Sequence, residues 1–262
     1  MIRILSTAAA LLSAAILSLA GLMGGPDAHE LLSSAGIEVH DGDTISVPLN
    51  GERTTIRYLL IDTPELHHPR RGEEELALEA AGANRDLISS GPLRLEFDEE
   101  LRDRYERLLA YVWVALPEGE LLVNEELVRR GFALPLIIPP NGKHAPRIFS
   151  AMEEAARSGA GLWSRSENRI FNPSQVWSEA TVLAGSFVTV RMTLERVEER
   201  GRRILLSQGR LTVTAYRNSR TEALLGLRKG DRVTVRGKLV LSPRGCEIPV
   251  ASFLQVSRDS DG

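Results

Sequence analysis

The chain has 262 residues, 43% of them hydrophobic, and a formal net charge of −3 at pH 7. That length holds one large or two small domains with a real core, and there is no low-complexity tract. Cys246 is the only cysteine, which excludes an internal disulfide, a CxxC metal site and a redox pair and leaves a small core residue. The charge is uneven. Residues 178–262 hold 15 Lys+Arg against 9 Asp+Glu, a net +6, and residues 1–177 hold 17 against 26, a net −9. A basic C-terminal part beside an acidic N-terminal part points to a polyanion partner or to a solvated arginine-rich surface.

Met1-Ile2-Arg3 precedes an uncharged apolar run, Ile4 to Met23, with Ser18 and Ala20 at the −3 and −1 positions of a cut before Gly21. Residues 1–23 therefore read as an export signal or, uncut, as an N-terminal membrane anchor, with cleavage the preferred reading. Residues 24–36 read as a linker. Strand-like sequence then begins at Ile37 and passes through the Asn50-Gly51 turn into Thr54–Ile61. Glu73–Ser89 has a Leu/Ala stripe and predicts a helix, which Gly91-Pro92 stops. Leu93–Phe97 and Leu108–Ala115 predict strands. Val123–Arg130 predicts a short helix with Asn124 as its N-cap, and Pro146–Ser158 a further helix ending at Gly159. Five strands with helices between and after them suit a small OB-type barrel. Residues 165–177 read as a second linker. Strands at Phe187–Val197, Arg203–Ser207, Arg210–Tyr216, Arg232–Val240 and Val250–Gln255, with a short helix at Thr221–Leu227, suit a second OB-like barrel over 178–257. The expected class is thus mainly β with helices (α+β).

Three charged clusters interrupt the apolar strands: Asp41-Gly42-Asp43-Thr44, Arg57 through Glu65, and Asp103-Arg104-Tyr105-Glu106-Arg107. Carboxylates suit a hard divalent cation, and paired arginines suit a phosphate. Together they point to metal-assisted phosphodiester chemistry. Those strings, with Val123-Asn124 through Gly131, Pro140-Asn141 and Gly161-Leu162-Trp163-Ser164, occur in the order and spacing of one family. Residues 37–164 resemble the staphylococcal nuclease (thermonuclease) family.

The resemblance implies a Ca²⁺-dependent nuclease that hydrolyses DNA and RNA to 3′-phosphate products. Asp43, Asp62 and the Thr63 main-chain oxygen would hold Ca²⁺. Glu65 would orient or deprotonate the attacking water, and Arg57 and Arg107 would clamp the scissile phosphate. Arg104 and Tyr105 would meet a terminal phosphate, and Asp41 and Asp103 would order the loops behind these groups. His144 would pair with Glu96. With the N-terminal run the resemblance implies an exported enzyme, membrane-associated only if that run is retained, and no obligate protein partner. The alternative is a non-catalytic nucleic-acid-binding or scaffold module on a degenerate barrel. Two positions depart from the family. Glu106 stands where the family commonly has Gly, and Leu134–Pro140 carries no aromatic ring to stack on a base. His67 and His68 read as a solvated loop, Trp113, Trp163 and Trp177 as packing residues, and Arg191, Arg202, Arg203, Tyr216 and Arg217 as candidates for a nucleic-acid groove on the second domain.

Overall fold

The computed structural model describes residues 31–67 and 72–259. The expected signal or anchor at 1–23, the start of the 24–36 linker, His29 and His68 lie outside these residues. Among the described residues, no helix is long and apolar enough to cross a membrane.

The first domain has strands β1 (Leu31–Leu32), β2 (Glu38–Val39), β3 (Thr44–Leu49), β4 (Glu52–Tyr58), β5 (Ile61–Asp62), β6 (Leu93–Glu96), β7 (Leu108–Leu116), β8 (Gly119–Leu122) and β9 (Leu134–Pro135). The main sheet runs β1-β6-β7-β4-β3-β2, with β8 also on β7. Only residues 33–37 separate its two end strands, so the path returns to where it began, as a sheet curling into an OB-type barrel must. Asn50 and Gly51 both take positive φ, 50° and 83°, and make the tight β3–β4 hairpin. Ile45, Val47, Ile56, Tyr58, Leu93, Leu95, Ala110, Val112 and Val114 fill the interior. Helices α1 (Ala77–Ile88), α2 (Val123–Arg129), α3 (Ala145–Ser158) and α4 (Leu162–Glu167) surround the sheet. Buried residues of all four helices, among them Leu87, Leu127, Met152 and Trp163, join the same core.

Residues 165–177, expected as a linker, are instead built into the structure. They complete α4, form β10 (Ile170–Phe171) and open α5 (Pro173–Ser178), which α6 (Ala180–Leu183) follows. Asn172 and Gln175 make a reciprocal capping box at the start of α5. The second domain follows with β11 (Phe187–Thr193), β12 (Arg196–Arg200), β13 (Arg203–Gln208), β14 (Leu211–Tyr216), β15 (Arg232–Lys238), β16 (Val240–Ser242), β17 (Gly245–Val250) and β18 (Val256–Arg258). These strands form two sheets, β10-β11-β15-β18 and β12-β13-β14-β17-β16. The sheets share bent strands: β11 continues into β12 across residues 194 and 195, and β15 into β16 across residue 239. In both domains the strand after the hairpin pairs in parallel with the last long strand, β4 with β7 and β14 with β17. Val188, Val190, Ile204, Val213, Val235 and Ile248 form the second core, which also buries Cys246.

Several local expectations change. The Thr54–Ile61 strand breaks at Leu60, whose φ of +65° turns the chain before β5. Helix α1 begins at Ala77, because Leu76 before it also takes φ +65°. Asn124 is no N-cap but lies in the first turn of α2, fully buried. Its carbonyl accepts the Val112 N–H at 2.9 Å and its amide donates to the Leu59 carbonyl at 2.9 Å. The 221–227 helix is a 3₁₀ turn, Glu222–Gly226. Leu31–Leu32, placed in a linker by sequence, is a barrel strand. Trp113 and Trp163 are buried, whereas Trp177 is half exposed beneath the Arg210 guanidinium, 4.4 Å from its ring.

Candidate active site

The first acid cluster is a tight turn. Asp41 Oδ1 accepts the Asp43 N–H at 3.0 Å, and the Asp41 N–H donates to the Thr44 carbonyl. Gly42 is required for close approach: a Cβ there would lie 2.7 Å from Thr63 Cγ2 and 2.9 Å from Ala80 Cβ. The turn is thereby pressed against the 62–65 segment, and the Asp43 side chain is buried between them. Asp43 Oδ2 accepts the Thr63 N–H at 2.8 Å, while Oδ1 accepts the Thr44 hydroxyl at 3.1 Å and faces Arg57 Nε at 3.2 Å. Arg57 Nη1 donates to the carbonyls of Tyr58 and Ile61 at 2.6 and 2.8 Å, and Nη2 to Asp62 Oδ1 at 3.3 Å. One guanidinium thus bridges the two expected metal-ligand carboxylates. The turn at Leu60 makes this possible by folding Ile61 and Asp62 back over Arg57. Asn84 braces the turn from α1, donating to the Asp41 carbonyl and accepting from the Tyr58 hydroxyl.

Burial pushes the Asp43 carboxyl up from 3.8 to about 7; Arg57 pulls against this, and the charges of Asp41 and Asp62 add to it. Partial desolvation, with Asp41 and Asp62, also raises Glu65 above the usual glutamate value. The site therefore has more negative charge than its arginine neutralises. Its donors are all oxygen, which fits a hard cation such as Ca²⁺. Among the described residues no three His, Cys, Asp or Glu side chains form a metal-holding cluster. An ion here would rest on Asp43, Asp62, a main-chain oxygen and water. The contact that Thr63 makes with Asp43 is through its N–H.

The 103–107 loop carries the second arginine. Asp103 Oδ1 accepts the backbone N–H groups of Tyr105 and Arg107 at 2.9 and 3.0 Å. Its Oδ2 takes Arg107 Nε at 2.8 Å and Nη2 at 2.7 Å. Arg104 Nη2 donates to the Tyr105 hydroxyl, and the guanidinium carbons of Arg104 and Arg107 lie 4.7 and 5.6 Å from the Tyr105 ring. Glu106 sits at φ +63°, which explains why glycine suits this position. Arg57, Arg107, Asp103, Arg104 and Tyr105 line one open cavity of about 480 Å³. Its far wall is Leu136 and Ile138, aliphatic as the sequence indicates.

Glu65 is exposed beside this constellation, and its backbone is fixed by Glu74. The Glu65 N–H donates to Glu74 Oε2 at 3.1 Å, and the Glu74 N–H donates to the Glu65 carbonyl at 2.9 Å. Sequence reasoning missed Glu74, hidden in a run of three glutamates, and missed Lys238 of the second domain. Lys238 Nζ lies 2.6 Å from Glu74 Oε2 and 3.7 Å from Asp62 Oδ2. No motif marks Lys238; only the docked domains reveal it. The expected His144–Glu96 pair is present at 3.1 Å. In the second domain, two of the expected groove arginines are held in ion pairs, Arg217 with Glu199 and Glu222, and Arg203 with Glu247.

Residues 55–165 match the family model described as "Staphylococcal nuclease homologue". That span contains Arg57, Asp62, Glu65, Arg104 and Arg107, while Asp41 and Asp43 precede it. The chain is similar to "Endonuclease YncB" of Bacillus subtilis (strain 168), 41% identical over 137 residues, which are 50% of this chain and 63% of that protein. It is also similar to the "SPbeta prophage-derived endonuclease YokF" of the same strain, 41% identical over 48% of this chain and 42% of that protein. Similarity to the "Thermonuclease" of Staphylococcus hyicus is 35% over 128 residues, 49% of this chain and 73% of that protein. The chain thus spans less than two thirds of the two Bacillus relatives and more than two thirds of the staphylococcal one. With that coverage and the geometry above, the chain belongs to the staphylococcal nuclease homologue family.

Proposed function

We propose that the chain is a Ca²⁺-dependent nuclease that hydrolyses phosphodiester bonds of DNA and RNA. The observation that carries this reading is the Arg57 guanidinium. It is held between Asp43 and Asp62 and lines the same cavity as Arg107. A Ca²⁺ ion held by Asp43 and Asp62 would polarise the phosphate and supply bound water. Among the described residues, four contacts occupy Arg57 and leave one N–H of its fork for a phosphate oxygen. Arg57 and Arg107 stabilise the charge that grows on the equatorial oxygens. Glu65 takes a proton from water as the water oxygen bonds to phosphorus. The P–O5′ bond breaks on the opposite side, O5′ takes a proton from solvent, and the product keeps a 3′-phosphate. Arg104 and Tyr105, at the cavity edge, meet the substrate's terminal phosphate. The aliphatic wall at Leu136 and Ile138 offers contact area without ring stacking, so little preference among bases is expected.

The apolar 4–23 run supports export, and the +6 charge of residues 178–262 supports a second-domain contact with the polymer. The test is incubation of the protein with plasmid, single-stranded DNA and RNA, with calcium or with chelator. Cleavage that requires calcium and leaves 3′-phosphate ends is expected. Binding without cleavage would make the chain a non-catalytic module, and full activity in excess chelator would remove the metal from the mechanism.

A further inference from the structure

We propose that the outer face of the β10-β11-β15-β18 sheet binds the sugar-phosphate backbone of one substrate strand, with Arg191 and Arg236 as its phosphate contacts. This deepens the nuclease reading above and rests on it only for the identity of the polymer. Val188, Val190 and Met192 of β11 and Val233 and Val235 of β15 point into the second core. Strand alternation therefore puts Arg191, Arg232 and Arg236 together on the opposite face. Arg191 and Arg232 are exposed and Arg236 is half-buried. In the β11–β15 register Arg191 stands opposite Thr234. Arg232 and Arg236 are thus its two diagonal neighbours, about 7–8 Å away.

The charge on this sheet has one sign. None of its strands contains an Asp or a Glu. The other sheet of the domain carries Glu198, Glu199 and Glu247, which take up Arg200, Arg217 and Arg203. Among the described residues, the Arg191 and Arg236 side chains make no ion pair or hydrogen bond. Asp231, just before β15, is held by Arg258. Asp259, just after β18, accepts the Thr234 hydroxyl at 2.7 Å and is the carboxylate that reaches this face. Arginines in a row with no acid between them repel one another, and a chain of phosphates relieves that repulsion. The exposed part of the face carries no aromatic ring, so the contact reads backbone and not base. The near end of the face docks beside the cleavage site. Phe187 leaves its own domain's core and enters the first domain's, its ring 5.1 Å from Trp163. With Asp62 and Thr63 it lines a void of only about 10 Å³. The Thr189 hydroxyl donates to the Ser166 carbonyl at 2.9 Å and closes the same end. Arg191 lies further along β11, about 13 Å beyond Phe187. A strand passing Asp62 reaches it within a few nucleotides of the scissile phosphate.

The experiment measures binding of the full chain to labelled single-stranded oligonucleotides by fluorescence anisotropy, in chelator, where affinity is read without cleavage. Lengthening the strand from about 4 to about 16 nucleotides, the range one OB barrel covers, should tighten binding by the wild type. Arg191→Gln and Arg236→Gln should each raise Kd about three- to fivefold at low salt. Each should also make the slope of log K against log salt shallower by about 0.7. The two combined should lose most of the gain with length. Asp259→Asn should act in the opposite sense and lower Kd. Arg200→Gln removes the same charge from the other sheet and should leave Kd within about 1.5-fold. Circular dichroism melts should match the wild type in every variant. Wild-type affinity and salt slope in the combined variant would overturn the proposal. An equal loss in Arg200→Gln would also overturn it, since net charge alone would then be the cause, and so would a loss that follows a lowered melting temperature. Protein that binds in this way but cleaves nothing in calcium would sink the nuclease reading and leave the strand-binding face standing.

Discussion

Asp43 is a residue at odds with its surroundings. It is buried and sits near two further carboxylates, so its proton is held up to about pH 7. Residues that suit function this way weaken the fold when their ligand is absent. Asp43→Asn should therefore raise the melting temperature in chelator at neutral pH, abolish stabilisation by calcium, and eliminate cleavage; thermal melts with and without the ion would check this. Arg107→Ala should cost at least about a hundredfold in turnover, the scale of losing a charge-stabilising donor, with circular dichroism unchanged. Asn124 has a different task. It ties β7, the break after β4 and α2 together through two buried bonds at 2.9 Å. Asn124→Ala leaves a buried N–H and carbonyl unmatched, each worth about 1–3 kcal/mol, so a loss of roughly 2–5 kcal/mol in denaturant titration is expected. The acids and arginines were legible in the sequence because their chemistry is written in residue type. Asn124 was misread as an N-cap, since a helix start and a buried bridge call for the same side chain.

At the level of elements, the arginine loop is only as well placed as its base. Glu96 and Asp98 pin β6 and the turn after it to residues 141–144. Glu96 meets Lys143, His144 and the Trp113 indole, and Asp98 takes the Tyr111 hydroxyl and the N–H groups of Gly142 and Lys143. Burial alone would raise both carboxyls, but these bonds outweigh it and hold both below the usual range. Depressed acids stabilise the fold above their unfolded values, near pH 4–4.5, and lose that contribution as pH falls through the folded values. Melting temperature should thus drop steeply below about pH 4.5, and Glu96→Gln should flatten that acid limb. An equally steep limb in the variant would place the acid-labile group elsewhere. The Glu96–His144 pair was anticipated from the family pattern, whereas the rest of the pin was not. Hydrogen bonds to backbone N–H groups 45 residues away leave no trace in local periodicity. The same limit explains the break at Leu60. An unbroken aliphatic run reads as one strand, and the left-handed turn at Leu60 comes with a tertiary contact, the Arg57 bond to the Ile61 carbonyl, that the run itself does not encode.

For the whole molecule, the positions of most strands along the chain were recoverable because turns and β-branched runs are local signals, and the docking was not. Residues 165–177 looked like a spacer because they are polar, yet β10 pairs with β11, and Arg169 meets Glu75 at 2.6 Å. Arg220 of the second domain likewise meets Glu153 at 3.0 Å and lies 4.4 Å from the Phe149 ring. With Phe187 in the first core, the domains share packing as well as charge. Phe187→Ala should destabilise by about 3–5 kcal/mol and lower both domains' unfolding together in a single calorimetric transition. Two separate transitions would show the domains to be independent. A truncation before residue 178 should consequently lose stability and turnover on short and long substrates alike.

The two-residue strand Leu31–Leu32 has a consequence for handling the protein. It pairs with Leu93 and Arg94 and covers that side of β6. Trimming the chain to start at residue 33 would leave a row of unpaired N–H and C=O groups there, a template on which another molecule's strand can add. Such trimmed protein should self-associate on storage, visible as rising light scattering at constant activity per folded molecule. Protein that begins at or before residue 30 should stay monodisperse.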